Sequence, residues 1–386
     1  MSQRTPAHRE KRRRFTRRVL FFCALALLIT GCSSVGYYRQ AAAGQFQIFS
    51  RQEPIEKLVE RPDTRATLRK KLELVLDLRT FAERELHLKT DGHYSRYADL
   101  GRRYVVWNVY ATPEFSLEPK RWWYPVVGKL KYRGFFSEQD ATRYGTNLAK
   151  AGYDVYVGGV DAYSTLGWFK DPVLNTFIHH EPADLAELLF HELAHQRVFA
   201  SGDTDFNEAF ATAVGEEGVR RWLAVHGDSA ARERYETDLR RKDQFVALVM
   251  RAREELKAVY GEESAHGPRE KQSPGSEALV AAKRDAKAKV FAKLRADYEV
   301  LKAGWHGDNS YDNWFKRPIN NARLNTIATY YHFVPAFKQL LANQNGDLQR
   351  FYAEAKALSA LEKDQRHARM AALSAVQSNV TVTAAR

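Results

Sequence analysis

Two histidines four residues apart, with a glutamate directly after the first, form the group in this sequence best suited to chemistry: His191-Glu192-Leu193-Ala194-His195. On an α-helix that spacing puts both imidazoles on one face, a turn apart, where they can share a tetrahedral ion. Glu192 then flanks the ion instead of binding it. A catalytic zinc lowers the pKa of a water toward roughly 7, and Glu192 stands where it can take the proton. A chance match in a chain of this length is expected on the order of one time in a hundred. The competing reading is a buried helix with two satisfied histidines. The apolar setting, Leu185, Leu188 and Leu189 before the motif and Val198 and Phe199 after it, predicts a helix and favours the metal.

Catalytic zinc usually takes three protein ligands and keeps one position open. The extended motif with a third histidine fails, because Val198 stands where glycine would and Ser201 where the histidine would. Of the two cysteines, Cys23 would leave with the N-terminal signal and Cys32 would be lipidated, so only histidines and carboxylates remain as ligands. Glu208 is the first candidate, since a helix opening near Asp205 after a short turn can fold back on the motif helix. Glu216, two turns further on, is the rival, and Asp205 with Glu208 also fits a helix-capping box. An oxyanion needs a donor. Tyr330, Tyr331 and His332 are candidates, with Tyr311 and Tyr163 behind them, although tyrosines this numerous also fill cores. A substrate peptide is expected to pair with an edge strand within residues 161–173.

The elements that must position these residues are legible from periodicity. Helices are expected over 62–88, 139–152, 182–199, 205–223 and 320–341, the last interrupted near Pro335. Strands are expected over 104–110, 122–132 and 154–160, which are rich in β-branched and aromatic residues. Residues 228–302 are charged and Ala-rich with a break at 261–275, which predicts two long solvated helices joined by a tip. The fold expectation is α+β, mostly helical, with a small sheet and a projecting charged helical hairpin. Its expected divisions are a signal peptide (1–31), a tether (32–52), a catalytic domain (53–345, with 228–302 inserted) and a C-terminal helix with a frayed tail (346–386).

The net charge of +13 invites a polyanion reading. More than half of it, however, lies in residues 1–18, where Arg4, Arg9, Lys11 to Arg14, Arg17 and Arg18 meet the single acid Glu10. Nucleic acid is therefore not an expected partner. The basic start is followed by the apolar stretch 19–29, shorter than the roughly 20 residues of a membrane span but suited to a secretory signal. Ile29-Thr-Gly-Cys32-Ser-Ser34 resembles a lipoprotein lipobox, in which Cys32 would be acylated. The competing reading is an uncleaved anchor with an incidental cysteine. Ser33 after the cysteine favours an outer-membrane anchor facing the periplasm, and the lipid bilayer is then a partner.

Beyond these motifs, the chain resembles a bacterial family of predicted zinc aminopeptidases, many of them lipoproteins. The segments that carry the likeness are Ala162-Tyr-Ser-Thr-Leu-Gly-Trp168 with Asp171-Pro172, Phe190-His-Glu-Leu-Ala-His-Gln196, Gly202-Asp-Thr204 and Phe206-Asn-Glu-Ala-Phe-Ala211. Trp107-Asn-Val109, Tyr124-Pro-Val-Val-Gly128 and Asn320-Asn-Ala-Arg-Leu324 add to it, so it runs from about 36 to 341. The resemblance implies a zincin-like domain, a gluzincin-like site of His191, His195 and Glu208, Glu192 as base, Zn2+ as cofactor and a peptide or protein substrate. Fewer residues separate His195 from Glu208 than in the thermolysin-like pattern. No Gly-Ala-Met-Glu-Asn-type element for a free amino terminus is present. The expected function is a zinc aminopeptidase. The alternatives are a zinc endopeptidase of the cell envelope, or a lipoprotein scaffold whose 228–302 hairpin holds an unidentified partner.

Overall fold

A computed structural model describes residues 36–384, apart from 125–127, 163–169 and 262–275. The signal segment, Cys32 and Tyr163 lie outside the described residues. In chain order, helix α1 spans 36–50. It is followed by β1 (Gln52–Pro54), α2 (Ile55–Glu60), α3 (Ala66–Arg84), β2 (Arg96–Ala98), β3 (Val106–Pro113), β4 (Trp122–Tyr124), β5 (Gly128–Leu130), β6 (Arg133–Phe135), α4 (Glu138–Lys150), β7 (Tyr153–Val160) and β8 (Val173–Leu174). From there the chain is helical: α5 (Pro182–Ala194), α6 (Thr204–His226), α7 (Ser229–Tyr260), α8 (Ser276–Ala303), α9 (Asp312–Lys316), α10 (Asn321–Tyr331), α11 (Val334–Asn343), α12 (Leu348–Ser359) and α13 (Lys363–Ala384). It is a mixed α and β fold with far more helix than strand. Among the described residues no helix is long and apolar enough to cross a membrane.

Strand β3 is the centre of the antiparallel sheet β6-β3-β7, with Trp107 opposite Phe135 on one side and Gly159 on the other. Successive strand side chains point to opposite faces. Trp107 and Val109 accordingly pack with Ala141 of α4, which leaves Asn108 and Tyr110 for the other face, where the site lies. A second small sheet, β1-β2-β8, joins β8 parallel to β2 and carries the chain to the start of α5.

Helices α5 and α6 form the centre of the molecule. Leu185, Leu189, Phe190 and Leu193 of α5 and Phe206, Phe210, Val214 and Val219 of α6 are buried in one core with Leu72, Val75 and Leu78 of α3 and Phe337 of α11. The two helices approach closely because position 215 is glycine. A Cβ there would sit 2.9 Å from the Glu187 carbonyl oxygen and 3.4 Å from the His191 Cβ. A separate core fills the space between α7 and α8, built from Phe245, Leu248, Leu256, Leu294 and Tyr298 with Phe315 and Leu324 from α9 and α10.

Four expectations change in detail. Helix α5 ends at Ala194, five residues early, and His195 is its C-cap. The chain must turn there to bring α6 back, and Gly202, at φ +74°, makes part of that turn. The interrupted helix splits into α10 and α11 around His332 and Phe333, since Pro335 has no N–H to donate. Residues 36–50 are packed, where a tether was expected. Ile48 is buried, Gly44 abuts the Phe136 ring, and the Phe136 N–H donates to Gln40 Oε1 at 2.8 Å. The 228–302 helices are present but tied to the body. Lys287 Nζ on α8 donates to Asp154 Oδ2 at 2.6 Å, and the Tyr260 hydroxyl on α7 donates to Asn321 Oδ1 at 2.8 Å.

Candidate metal centre

The close pairing of α5 and α6 brings three side chains to one point. His191 Nε2 lies 3.3 Å and His195 Nε2 3.6 Å from the same Glu208 oxygen, Oε2. Their potential ligand atoms all fall within 4.8 Å of one another. The two imidazole rings stand edge to face at 4.9 Å, as residues a helical turn apart do. Two imidazole nitrogens and one carboxylate oxygen are the donor set that holds zinc while leaving a position for water or substrate, so these residues fit the ion the sequence implies.

Glu208 reaches that point because it is not a capping residue. The N-cap of α6 is Asp203, whose side chain accepts from the Phe206 N–H. Asp205 is instead held by Lys131 Nζ at 2.5 and 2.6 Å. Glu216, the rival ligand, is fully buried and forms ion pairs with Lys242 Nζ at 2.9 Å and Lys338 Nζ at 2.8 Å. It lies two helical turns beyond Glu208 on α6 and is not among the residues whose ligand atoms converge.

The electrostatics separate the roles of the carboxylates. Burial opposes ionisation of Glu208, yet the charges and hydrogen bonds of His195 and His191 pull its pKa down to about 2. Burial also lowers His195, but Glu208 and Glu192 outweigh it and the net shift is upward. Glu192 moves the other way. Burial raises it most, His191 and His195 counter, and Glu208 and Asp171 add to the rise. The two neighbouring carboxyls are thus driven in opposite directions, Glu208 down and Glu192 up.

Among the described oxyanion candidates, Tyr330 is the one brought to the triad, its ring stacked on His191 at 6.3 Å. The Glu208 charge, then burial, keeps its phenol well above its ordinary pKa, so it remains a donor. Tyr331 lies near Lys242 and the Glu216 cluster, with Lys242 Nζ 5.8 Å from its ring. His332 is exposed against Phe333, and Tyr311 stacks on Phe245 at 4.2 Å. Most of the expected substrate segment, 163–169, lies outside the described residues. Its first residues, Asp161 and Ala162, line a cavity of about 1860 Å³ shared with His191, Glu192, His195 and Glu208.

Several supporting residues were not legible from the motifs. Asn207, next to Glu208, clamps the α5–α6 turn. Its Oδ1 accepts from the Ala200 N–H at 2.7 Å and its Nδ2 donates to the Ala200 carbonyl at 2.9 Å. Asp203 is bound from the far end of the chain by Arg366 Nη1 at 2.8 Å and His367 Nε2 at 2.9 Å. Burial raises the Asp203 pKa, but the bond to His367 and the charges of Lys363 and Arg366 leave it lowered. Behind His191, Lys242 on α7 bridges Glu187 of α5 at 2.9 Å and Glu216 of α6 at 2.9 Å, while the Tyr235 hydroxyl donates to Glu187 at 2.7 Å. Glu187 stands one turn before His191, a spacing that could have flagged it. Lys242 and Arg366 carry no such local signal.

A family model described as "Putative aminopeptidase" matches residues 36–370, which include the whole triad, Glu192 and the clamp on Asp203. No curated protein and no solved structure matches the chain.

Proposed function

This chain belongs to the family described as putative aminopeptidase, and from that premise we propose that it is a zinc-dependent aminopeptidase of the cell envelope, anchored by acylation of Cys32. The observation that carries the reading is the convergence of His191 Nε2 and His195 Nε2 on one oxygen of Glu208. These three side chains would hold the zinc. Zinc bound there supplies Lewis acidity toward the scissile carbonyl and brings the pKa of the attacking water toward about 7. Glu192 takes the water's proton on its carboxylate and returns it to the leaving amine. Its raised pKa suits both transfers. Tyr330, stacked on His191, is our assigned donor to the developing oxyanion. The outer edge of β7, which pairs with no further strand among the described residues and runs into Asp161 at the cavity wall, offers backbone groups beyond Val155 to an extended peptide. The basic start, the apolar stretch and the residues around Cys32 support export and an outer-membrane anchor.

The cavity supports a second reading. At about 1860 Å³ it exceeds the roughly 300–1,000 Å³ of small-ligand pockets and has room for more than a terminal residue. That favours an endopeptidase with the same metal and base. The test is a panel of amino-acid anilides beside N-blocked peptides, run on wild type and Glu192→Gln with metal content measured in parallel. Hydrolysis of anilides that Glu192→Gln loses while keeping its zinc supports the aminopeptidase. Cleavage of blocked peptides alone would sink that label and keep the chemistry. Equal turnover by both proteins would remove Glu192 from its role.

A further inference from the structure

We propose that α1 lies on an anionic bilayer surface, so that the cavity containing the triad opens at the membrane. The contact itself does not depend on the peptidase reading. Helix α1 is apolar on two sides. Its inner side is packed, with Ile48 buried, Gly44 against Phe136 and Tyr37 edge-on to Phe135 at 5.5 Å. Its outer side presents Tyr38, Ala42, Phe46 and Phe49, spaced to share one face. Tyr38 is 48% exposed and Phe46 72%. Apolar stripes on two sides of a helix call for cover on both, and this helix faces solvent along the outer one.

The charges and the neighbouring hairpin name the cover. From Cys32 to Gln52 there is no Asp or Glu, while Arg39 and Arg51 are exposed on the helix and just after it. The β4–β5 hairpin, joined to α1 through Tyr124 and Tyr37 at 6.2 Å, pairs Trp123, 67% exposed, with exposed Lys129 on its outer face. Aromatic rings flanked by basic residues suit the headgroup layer, into which such a helix sinks about 5–10 Å. The preceding chain supports a bilayer over a second copy. Only Ser33 to Val35 separate Cys32 from α1, a span of at most about 14 Å. An acyl chain on Cys32, or the apolar stretch 19–29 if retained, would therefore hold α1 at the surface. Tyr38 and Ala42 also line the cavity with Tyr37, Ala41 and Gln45, so docking this stripe sets the cavity mouth against the lipid. Peptides lying on or emerging from the membrane would then be the substrates with access.

The test uses full-length protein expressed in a Cys23→Ser background, purified from membranes and reconstituted in phosphatidylethanolamine–phosphatidylglycerol vesicles with brominated acyl chains. An environment-sensitive fluorophore is placed at Tyr38→Cys, at Phe46→Cys and, as a remote control, at Val300→Cys, which is 76% exposed on α8. Mass determination of the N-terminal peptide reports acylation separately. The expected result is a blue shift and loss of most emission at 38 and 46, with the label at 300 unchanged. Equal emission from all three overturns the proposal, whatever the state of Cys32. So does a blue shift at 46 that depends on protein concentration and not on lipid, which would mark a second copy as the occupant.

Discussion

Glu208 and Glu216 lie on the same helix, two turns and about 12 Å apart, and both are removed from bulk solvent. Glu216 forms ion pairs with two lysines, at 2.9 and 2.8 Å, within the protein. Glu208 meets two imidazoles, whose ring nitrogens are also potential metal ligands. The first environment is an ion-pair cluster, and the second is a donor set that could hold a cation. What stands across from a carboxylate, more than its burial, separates a structural anion from a ligand.

Substitution at either end of this pair should break it differently. Glu208→Ala is expected to lose stoichiometric zinc and all measurable hydrolysis, read by metal analysis beside activity. If the variant binds zinc normally, the assignment of the third ligand is wrong. Glu192→Gln should keep zinc and lose about 10²–10⁴-fold in turnover, the usual worth of a general base. Glu216→Gln should remove one of the two carboxylates each lysine meets, with Lys242 keeping Glu187 and Lys338 keeping Asp243, and cost about 1–3 kcal/mol in denaturant unfolding while the folded fraction still binds zinc.

The same comparison predicts a pH dependence. Burial raises the Glu216 pKa, but Lys242 and Lys338 outweigh it and leave it below the ordinary 4.5. A depressed carboxyl contributes stability that is fully present above its unfolded value and is lost as pH falls through its folded value. Metal-free wild type should therefore weaken on acidification below about pH 4.5, and Glu216→Gln should show a shallower loss over that window in thermal melts. Asn207→Ala should cost about 1–3 kcal/mol for each Ala200 backbone group left unpaired and should weaken zinc binding by loosening the turn before Glu208. Arg284→Ala should leave the melting temperature unchanged, since its pair with Glu114 is largely exposed.

The parts of the site written in local spacing were legible. His191 and His195 follow from the i, i+4 rule, and Glu208 from a turn short enough to send α6 back along α5. The exclusion of Glu216 was not legible, because the lysines that claim it come from α7 and α11. Tyr330, Tyr331 and His332 read as one cluster, yet successive helical residues point about 100° apart and only the first faces the triad. The early end of α5 escaped periodicity because Val198 and Ala200 are buried in the turn just as helix residues would be. The packed state of 36–50 escaped it because apolar residues occupy two sides of the helix and blur the single-faced period that marks a packed one.

The Asp203 clamp bears on the order in which the molecule can be made. Asp203 caps α6 and so helps set where Glu208 falls, yet its partners Arg366 and His367 are 163 and 164 residues further along. A polypeptide synthesised from its N-terminus has His191, His195 and Glu208 long before it has those residues. The complete turn can form only once nearly the whole chain has been made. Maturation of the centre is thereby tied to the last stage of synthesis, and a chain cut short before Arg366 would carry all three side chains without the clamp that helps to place them.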